Sequence, residues 1–407
     1  MYRQIKLRKG KEDSLKRFHP WVFSGAIQHI DEGVQEGEVV RVVTNSGEFI
    51  AVGHFQQGSI AVRVLSFSDE PVNADFWQSR LRSSLQMRQA IGLATLSTAS
   101  PTSVTRNTTY RLVHGEGDNL PGLIIDVYGQ TAVMQAHSIG MHLSRKQIAS
   151  SLTEVMEGQI KHVYYKSETT LPFMSADDMN GFLIGGSDEN IAIENGLKFR
   201  VDWLRGQKTG FFVDQRENRS LLEKYAEGKR VLNMFCYTGG FSVYAMRGRA
   251  ELVHSVDSSE KAIALTRQNV ELNFPGDTRH EAFCEDAFRF LDNSQLSSRS
   301  AQRSYDLIIL DPPAFAKHRG ALHNALKGYI RLNQKAFEKI ERGGILFTFS
   351  CSQVVTKDHF RNVVFTAAAL AKRKVRILHQ LHQPQDHPIN IYHPEGEYLK
   401  GLVLYVE

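Results

Sequence analysis

Residues 231–241 constrain the fold of this chain more than any other segment. They read Val-Leu-Asn-Met-Phe-Cys-Tyr-Thr-Gly-Gly-Phe, an apolar strand that runs into a glycine turn and then into the apolar face of a helix. A second apolar strand, at 252–256, ends in Asp257. This order predicts a nucleotide-binding βαβ unit, in which a carboxylate after the second strand binds both hydroxyls of a ribose.

The glycine turn narrows the class of ligand. It is not G-x-G-x-x-G, so the sequence lacks the cradle that binds the pyrophosphate of NAD. We therefore expect a ligand with a ribose but no phosphate, of which S-adenosylmethionine is the commonest. An NAD-dependent dehydrogenase is the alternative from a different enzyme class, and the missing cradle disfavours it.

Strands and helices alternate through the rest of the chain. Apolar runs predict seven strands, at 231–234, 252–256, 281–284, 305–310, 345–349, 375–381 and 401–406. The run at 305–310 is continuously apolar, as expected for a strand that is covered on both faces. Seven strands with intervening helices, the last two adjacent, predict an α/β fold with the mostly parallel, Rossmann-like sheet of a class I methyltransferase.

Polar side chains follow four of these strands. Asp257, Asp286, Asp311 and Cys351 each stand at or just beyond the carboxyl end of a strand. Ligands of open α/β sheets bind at that edge. We therefore expect Asp257 to bind the ribose, Asp286 to contact the adenine side, and Asp311 and Cys351 to face one substrate from neighbouring strands.

The chain before residue 190 has a different pattern. A length of 407 residues is long for one core and predicts two or three domains. Short strands at 39–43, 49–54 and 60–66 predict a small β-barrel. A helix at 76–91, a Ser/Thr-rich loop at 95–109 and further strands predict a small α+β unit. We predict three domains, at 1–72, 73–189 and 190–407.

Composition limits the class of protein. The net charge is +5, and a run of about 18 apolar residues is absent from the sequence, so we expect a cytoplasmic protein that does not enter a membrane. Three cysteines without zinc-site spacing predict neither a disulfide framework nor a metal site. Basic residues cluster at Arg3, Lys6, Arg8, Lys9, Lys11, Lys16 and Arg17, and again at Arg80, Arg82 and Arg88. Such clusters suit a polyanion, although a solvated face has the same composition.

A resemblance to a known family is carried by segments spread over nearly the whole chain. They are residues 19–26, 115–122, 208–216, 237–241, 311–313, 348–352 and 398–401. Together they resemble ribosomal RNA large subunit methyltransferase I, a family that makes 5-methylcytidine with S-adenosylmethionine. The chain departs from the family pattern at Ala314, where lysine or threonine is usual, and at Cys236, where serine is usual.

The resemblance implies domains, a partner and site residues. It implies a PUA domain for RNA at the N-terminus, a central α+β domain and a C-terminal Rossmann-like catalytic domain, with large-subunit ribosomal RNA as the partner. It leaves a homodimer open. The expected cofactor-binding residues are Phe211, Phe212, Asp214, Arg216, Phe235, Tyr237, Thr238, Gly239, Gly240, Asp257, Ser258, Asp286, Ala287 and Asp311. Arg216 could bind the cofactor carboxylate or a phosphate.

The chemistry of cytosine assigns roles to Cys351 and Asp311. Carbon 5 is a poor nucleophile until a thiolate adds to carbon 6 and turns the ring into an enamine. A carboxyl group that hydrogen-bonds ring nitrogen 3 and the amino group makes this addition easier. We expect Cys351 and Asp311 to be catalytic, and Cys236 and Cys284 to be buried packing residues. Two alternatives are an N2-guanine RNA methyltransferase, which needs no cysteine, and a non-catalytic RNA-binding protein that keeps the fold.

Overall fold

The computed structural model describes residues 2–94, 107–171, 180–187, 189–292 and 304–407. Most of the predicted Ser/Thr-rich loop, residues 95–106, lies outside them. Over the described ranges the chain forms two compact units. The first contains Met1–Gly196, Val201–Val213 and Gln385–Gly396, and the second contains Leu197–Arg200, Asp214–Pro384 and Glu397–Glu407.

A six-stranded sheet opens the first unit. Its elements are β1 Gln4–Leu7, α1 Asp13–Lys16, β2 Trp21–Phe23, β3 Ile27–Ile30, β4 Val39–Val43, β5 Phe49–Phe55 and β6 Ile60–Ser66. The strand order is β2-β6-β5-β4-β1-β3. Alternate residues such as Ile5, Leu7, Val40 and Val42 form the core of this sheet. The three strands predicted here are confirmed as β4 to β6. The sequence did not predict β1 to β3, which have only three or four residues each.

A five-stranded sheet with helices completes the first unit. Its elements are α2 Ala74–Ala90, β7 Thr109–His114, β8 Leu123–Tyr128, β9 Thr131–Ala136, α3 Ile139–Leu143, α4 Arg145–Val155, β10 His162–Tyr165 and β11 Gly181–Ile184, followed by β12 Ile191–Glu194. The order is β11-β10-β9-β8-β7. Asn73 begins α2 by accepting a hydrogen bond from the backbone of Phe76 at 3.0 Å.

One member of the second basic cluster is a structural residue rather than part of a polyanion surface. The side chain of Arg88 is fully buried. Its guanidinium forms a bidentate pair with Asp118 and donates to the carbonyl oxygens of Arg111 and Asp386. A buried guanidinium needs such partners to offset its lost hydration. The prediction that Arg88 belongs to a charged surface was therefore wrong.

The second unit holds the predicted nucleotide-binding sheet. Its elements are β13 Leu197–Arg200, α5 Arg216–Glu223, β14 Arg230–Met234, α6 Gly240–Arg247, β15 Leu252–Asp257, α7 Glu260–Asn273, β16 His280–Cys284, α8 Ala287–Asp292, β17 Tyr305–Leu310, α9 Leu322–Lys339, β18 Ile340–Ser350, α10 Lys357–Leu370, β19 Val375–Leu381 and β20 Lys400–Val406. Strand β18 begins earlier than predicted. It pairs with β17 from Ile340 onward, with an irregular register between Tyr305 and Leu307.

The strand order of the second unit creates a ligand edge. The order is β16-β15-β14-β17-β18-β20-β19. The five strands β14 to β18 are parallel to one another, whereas β20 is antiparallel to both of its neighbours, β18 and β19. The chain moves outward from β14 to β16 and then returns to the other side of β14 with β17. A crevice opens where the order reverses, at the carboxyl ends of β14 and β17. The predicted Rossmann-like sheet is confirmed.

Two further findings concern the described ranges alone. No helix there combines the length and apolar character needed to cross a bilayer. No group of three or more His, Cys, Asp or Glu side chains there could hold a metal ion. The three-domain division at 1–72, 73–189 and 190–407 stays a prediction.

Candidate active site

The turn between β14 and α6 has a strained backbone. Phe235 and Tyr237 have φ values of 58° and 47°, a left-handed region that bulky residues rarely adopt. Helix α7 restrains this conformation from one side. Thr266 donates a hydrogen bond to the carbonyl oxygen of Tyr237 at 2.8 Å, and Asn269 donates to that of Thr238 at 2.9 Å. The turn is thus fixed by tertiary contacts.

Glycine is required at one position of the turn. Gly239 has a φ of 77°, and a Cβ added there would lie 2.7 Å from Cγ2 of Thr266. Gly240 then begins α6. A side chain at Gly239 would push the turn away from α7. The sequence signal of two successive glycines is explained by this close approach.

Asp257 connects the turn to the end of β15. One of its carboxylate oxygens accepts a hydrogen bond from the Tyr237 backbone at 3.0 Å, and the other accepts from the Ser259 backbone at 2.9 Å. A carboxylate oxygen can accept more than one hydrogen bond, so both oxygens keep capacity for a pair of hydroxyls. This geometry suits the predicted ribose contact. The neighbouring Ser258 is exposed.

Asp286 lies after the edge strand β16. It is exposed, and one of its carboxylate oxygens accepts a hydrogen bond from the Arg289 backbone at 3.0 Å, where α8 begins. Ala287, the first residue of α8, is buried. Asp286 therefore has a local structural role as a helix cap. Its contact with the adenine side of the cofactor stays a prediction.

Cys351 and Asp311 follow neighbouring parallel strands, β18 and β17. The Cys351 thiol donates a long hydrogen bond to the carbonyl oxygen of Pro312, with 3.9 Å between sulfur and oxygen. The serines on either side of the thiol are fixed. Ser350 donates to the Tyr329 hydroxyl at 3.0 Å, and Ser352 donates to a main-chain carbonyl oxygen at 2.5 Å. The expected proximity of Cys351 to the Asp-Pro-Pro segment is confirmed.

The Asp311 carboxyl is in an environment that favours its protonated form. Burial, followed by the charge of Asp214, raises the pKa of Asp311 to about 7. The hydrogen bond that Gln215 donates to Asp311 at 3.1 Å opposes this shift but does not cancel it. At neutral pH a large fraction of Asp311 is therefore a neutral acid that can donate a hydrogen bond.

Asp214 presents an oxygen that lacks a partner. The Tyr398 hydroxyl donates a hydrogen bond to one carboxylate oxygen of Asp214 at 2.7 Å. The other oxygen is buried and has no hydrogen-bond partner within the described ranges. A buried carboxylate oxygen normally has a donor, so this atom marks a position where a ligand's N–H or O–H group fits.

The Cys351 thiol is held in its neutral form. Burial is the main cause, and the charges of Asp311 and Asp214 add to it, so that the pKa of Cys351 rises to about 12. A thiolate is the reactive form of cysteine. Any chemistry at this sulfur therefore requires that the opposing negative charge be removed or balanced when substrate binds.

The structure brings several of the predicted site residues together. Asp214, Asp311 and Cys351 lie close enough to influence one another electrostatically, and Tyr237 contacts Asp257. Phe235 packs partly buried against the core of the same unit, and Arg216 is buried at the start of α5. Phe211 and Phe212 belong to the first unit, so their contact with the cofactor stays a prediction.

Several members of the cluster were not predicted from the sequence. Gln215, Tyr329 and Tyr398 received no role, although Gln215 and Tyr398 lie inside segments that carried the resemblance. The expectation for the other cysteines was half correct. Cys236 is buried as predicted, but Cys284 is exposed, because it ends β16, which is the edge strand of the sheet over the described ranges.

Family models match both parts of the chain. The model for S-adenosylmethionine-dependent methyltransferases matches residues 160–391, and the model for a PUA-like domain matches residues 5–67. The predicted cofactor, S-adenosylmethionine, is thereby confirmed.

Two curated relatives extend over nearly the full length of the chain. Ribosomal RNA large subunit methyltransferase I of Aeromonas hydrophila is 38% identical over 414 residues, covering 99% of this chain and 99% of the relative. The Escherichia coli protein of the same name is 36% identical over 408 residues, covering 98% of each chain.

Solved structures share the fold. A Streptococcus mutans protein assigned as a SAM-dependent methyltransferase has a TM-score of 0.81 and 23% identity, with 99% of both chains covered. A methyltransferase solved in complex with SAH gives the same values. At this identity the likeness supports the fold alone.

The polar groups of the second unit fit S-adenosylmethionine. Asp257 can accept hydrogen bonds from two ribose hydroxyls, and the partnerless oxygen of Asp214 can accept one from an ammonium group. These are the acceptors that a ligand with a ribose and an amino-acid moiety requires.

The first prediction concerns Asp257→Ala. We expect this change to weaken S-adenosylmethionine binding by on the order of 2 kcal/mol, because the ribose hydroxyls lose a charged acceptor. Isothermal titration calorimetry measures the affinity, and thermal unfolding of the variant serves as the control for folding. Unchanged affinity in a folded variant would mean that the ribose is bound elsewhere.

The second prediction concerns the pH dependence of stability. The pKa of Asp311 is raised from its ordinary value of 3.8 to about 7, so the folded state holds an extra proton between these values. The stability that this carboxyl contributes is full below pH 3.8 and is lost as the pH rises toward 7. As the pH rises through this window, the free energy of unfolding of Asp311→Asn should increase relative to that of the wild type by on the order of 1 kcal/mol per pH unit. Calorimetric unfolding measures this difference. A difference that is independent of pH would contradict this environment for Asp311.

Proposed function

This chain belongs to the family of ribosomal RNA large subunit methyltransferase I, and from that premise we propose that it methylates carbon 5 of a cytidine in large-subunit ribosomal RNA. S-adenosylmethionine, when bound, supplies the electrophilic methyl group. The protein must then make carbon 5 nucleophilic. The observation that carries the proposal is the hydrogen bond between the Cys351 thiol and the Asp311-Pro312 segment, which brings a nucleophile beside an acid.

The proposed first step is the addition of Cys351 to carbon 6 of the base. The thiolate forms a bond to carbon 6, and the electron pair of the double bond between carbons 5 and 6 becomes available at carbon 5. Negative charge develops at ring nitrogen 3 during this addition. Carbon 5 can then bond to the methyl group that S-adenosylmethionine would supply, while the bond between that methyl group and its sulfur breaks. Carbon 5 next loses its proton to a base or to water, and the electron pair left behind re-forms the double bond between carbons 5 and 6. The bond between carbon 6 and the Cys351 sulfur breaks in the same step and the thiolate is released.

Asp311 is suited to offset the developing charge. Nitrogen 3 of neutral cytosine is a hydrogen-bond acceptor, so a partner there must donate a proton or a hydrogen bond. A carboxyl with a pKa of about 7 is protonated often enough at neutral pH to do so. A carboxyl of ordinary pKa would be ionised and would repel the nitrogen lone pair.

The same proton helps the nucleophile. The Asp311 charge is one cause of the raised pKa of Cys351. When Asp311 is neutral and bonded to the base, that repulsion disappears and the thiolate becomes easier to form. We therefore propose that binding of the base and activation of Cys351 are coupled through one proton.

The first unit supplies a surface that suits RNA. Lys9, Lys11, Lys16 and Arg17 are exposed in α1 and the loops beside it, between β1 and β2, within the range that matches the PUA-like family model. The neighbouring Phe18 is 48% exposed, with a φ of 63°. Its ring lies 5.3 Å from that of Tyr392, which is 50% exposed. Exposed rings beside basic residues favour a nucleic acid with unpaired bases.

The remaining expectations join this proposal. We propose that residues 1–72 bind RNA, that 73–189 form a central α+β domain, and that 190–407 carry the chemistry. The relatives are bacterial, and bacterial ribosomal RNA is made in the cytoplasm, so a cytoplasmic location belongs to the same proposal. The homodimer stays a prediction.

The third prediction concerns Cys351→Ala. We expect methyl transfer to be abolished while S-adenosylmethionine affinity stays within a few-fold, because the sulfur acts on the base and not on the cofactor. Tritium transfer into ribosomal RNA followed by nucleoside mass spectrometry measures both rate and product.

The matched controls are Cys236→Ala and Cys284→Ala. Both variants should remain active, since neither thiol lies beside Asp311, and loss of the buried Cys236 should cost on the order of 1 kcal/mol of stability. A Cys351→Ala enzyme that keeps more than about a tenth of the wild-type rate would remove the covalent mechanism. A methylated guanine as product would favour the N2-guanine alternative.

The fourth prediction concerns RNA affinity. Replacing Lys9, Lys11, Lys16 and Arg17 by glutamine should weaken RNA binding and lower the log–log salt slope by up to about 3 units. Phosphate contacts are the physical reason, because each one releases counterions. Filter binding over a series of salt concentrations measures the slope.

The control replaces Lys146, on α4, and Lys161, just before β10, which are also exposed and belong to the same unit. These two changes should leave the slope close to that of the wild type. An unchanged slope in the fourfold variant would show that the basic segment has another purpose, such as dimerisation.

A further inference from the structure

Lys400 is a buried lysine at the first position of β20, next to the proposed nucleophile. It is 6% exposed. In the antiparallel pairing of β20 with β18 it lies opposite Ser350. Its Nζ donates a hydrogen bond to the carbonyl oxygen of Ser352 at 2.6 Å. The lysine side chain therefore reaches from one neighbour of Cys351 to the other.

The groups around the thiol come from four elements. Asp311 follows β17, Asp214 precedes α5, Tyr329 lies on α9, and Lys400 lies on β20. The two carboxylates oppose formation of the thiolate, and Lys400 is the cation that favours it. When Asp311 is protonated and hydrogen-bonded to the base, its charge no longer disfavours the Cys351 thiolate. Of these four groups, Asp214 then disfavours the thiolate and Lys400 favours it.

The protonation state of Lys400 suits this role. Burial lowers the pKa of Lys400 to about 8, against the opposing effects of Cys351 and Glu397. Lys357 adds slightly to the lowering, but it forms an ion pair with Glu397 at 2.5 Å. Lys400 therefore carries its charge at neutral pH and loses it as the pH rises above about 8.

We propose that Lys400 is a positioning residue for Cys351. The ammonium group of Lys400 stabilises the Cys351 thiolate and fixes the turn from Ser350 to Ser352. This inference rests on the proposed function, because it assigns Lys400 a part in forming the nucleophile. In the step, the S–H bond of Cys351 breaks, the electron pair stays on sulfur and the proton passes to solvent water. Lys400 keeps its own proton.

The test measures the reactivity of the thiol directly. The chain has three cysteines, so Cys236→Ala with Cys284→Ala leaves Cys351 as the one thiol. In this background the rate of alkylation by iodoacetamide is followed by mass spectrometry from about pH 6 to about pH 10, without RNA or S-adenosylmethionine. Lys400→Met should lower the rate near pH 7 roughly three- to tenfold, since a higher thiol pKa reduces the thiolate fraction more than it raises nucleophilicity.

A second variant keeps the inference testable if Lys400→Met fails to fold. Lys400→Arg retains a positive charge at every pH of the series, whereas the native lysine loses its charge above about pH 8. The ratio of the Arg variant's rate to the wild-type rate should therefore rise above that pH. A ratio that stays constant, or a Met variant whose profile superimposes on that of the wild type, would overturn the inference.

Lys166→Met is the matched control. The Lys166 Nζ also donates to a backbone carbonyl oxygen, that of Gly206, but in the first unit. Its alkylation profile should superimpose on the wild-type profile. The assay contains no RNA, so it separates the two proposals. If the Lys400 variants are alkylated at the wild-type rate, the inference about Lys400 is wrong but the proposed need for Cys351 still stands. If Cys351→Ala transfers methyl groups, the proposed function is wrong regardless of the Lys400 result.

Discussion

The parallel pairing of β17 with β18 is the constraint on which the site depends. In this register Leu310 lies opposite Thr348, so the two strands end within a few residues of each other and deliver Asp311 and Cys351 to the same edge. The antiparallel return of β20 then sets Lys400 opposite Ser350. The backbone hydrogen bonds of the sheet thus bring together three chemically different groups from distant parts of the sequence.

The charges at this edge oppose one another in the free protein. Burial and the Asp214 carboxylate raise the pKa of Asp311 to about 7, so that part of it is protonated at neutral pH, and burial with the charges of Asp311 and Asp214 raises the pKa of the Cys351 thiol. In the free protein the Cys351 thiol is therefore mostly protonated and reacts slowly with electrophiles. A base that accepts a hydrogen bond from Asp311 changes this balance, because it removes a negative charge while Lys400 keeps its positive one. Substrate binding and nucleophile activation share a single electrostatic cause.

Much of this arrangement could be predicted from the sequence. Apolar runs that end in Asp257, Asp311 and Cys351 predict one ligand edge, because parallel strands of a doubly wound sheet end together. The two glycines predict a turn near Tyr237 but not its strained backbone, because the restraint comes from Thr266 on another helix. The partners of Asp311 and the reach of Lys400 depend on contacts between residues far apart in the sequence, so local patterns carry no signal for them.

Two expectations show where residue type alone misleads. The sequence predicted Arg88 to be part of a charged surface. The side chain is instead buried, where it forms hydrogen bonds to an aspartate and to two carbonyl oxygens. The sequence also predicted Cys284 to be a core residue, but it ends an edge strand and is exposed. In both cases the position within the fold, which composition does not reveal, decides the environment.

The most direct test of the covalent mechanism is to trap its intermediate. A large-subunit ribosomal RNA that contains 5-fluorocytidine cannot lose a proton from carbon 5 after methylation, so the thiol cannot be eliminated. Incubation with this RNA and S-adenosylmethionine, followed by proteolysis and mass spectrometry, should give a methylated nucleotide attached to the peptide that contains Cys351. A protein that methylates ordinary RNA but gives no adduct, or gives one at Cys236 or Cys284, would contradict the account.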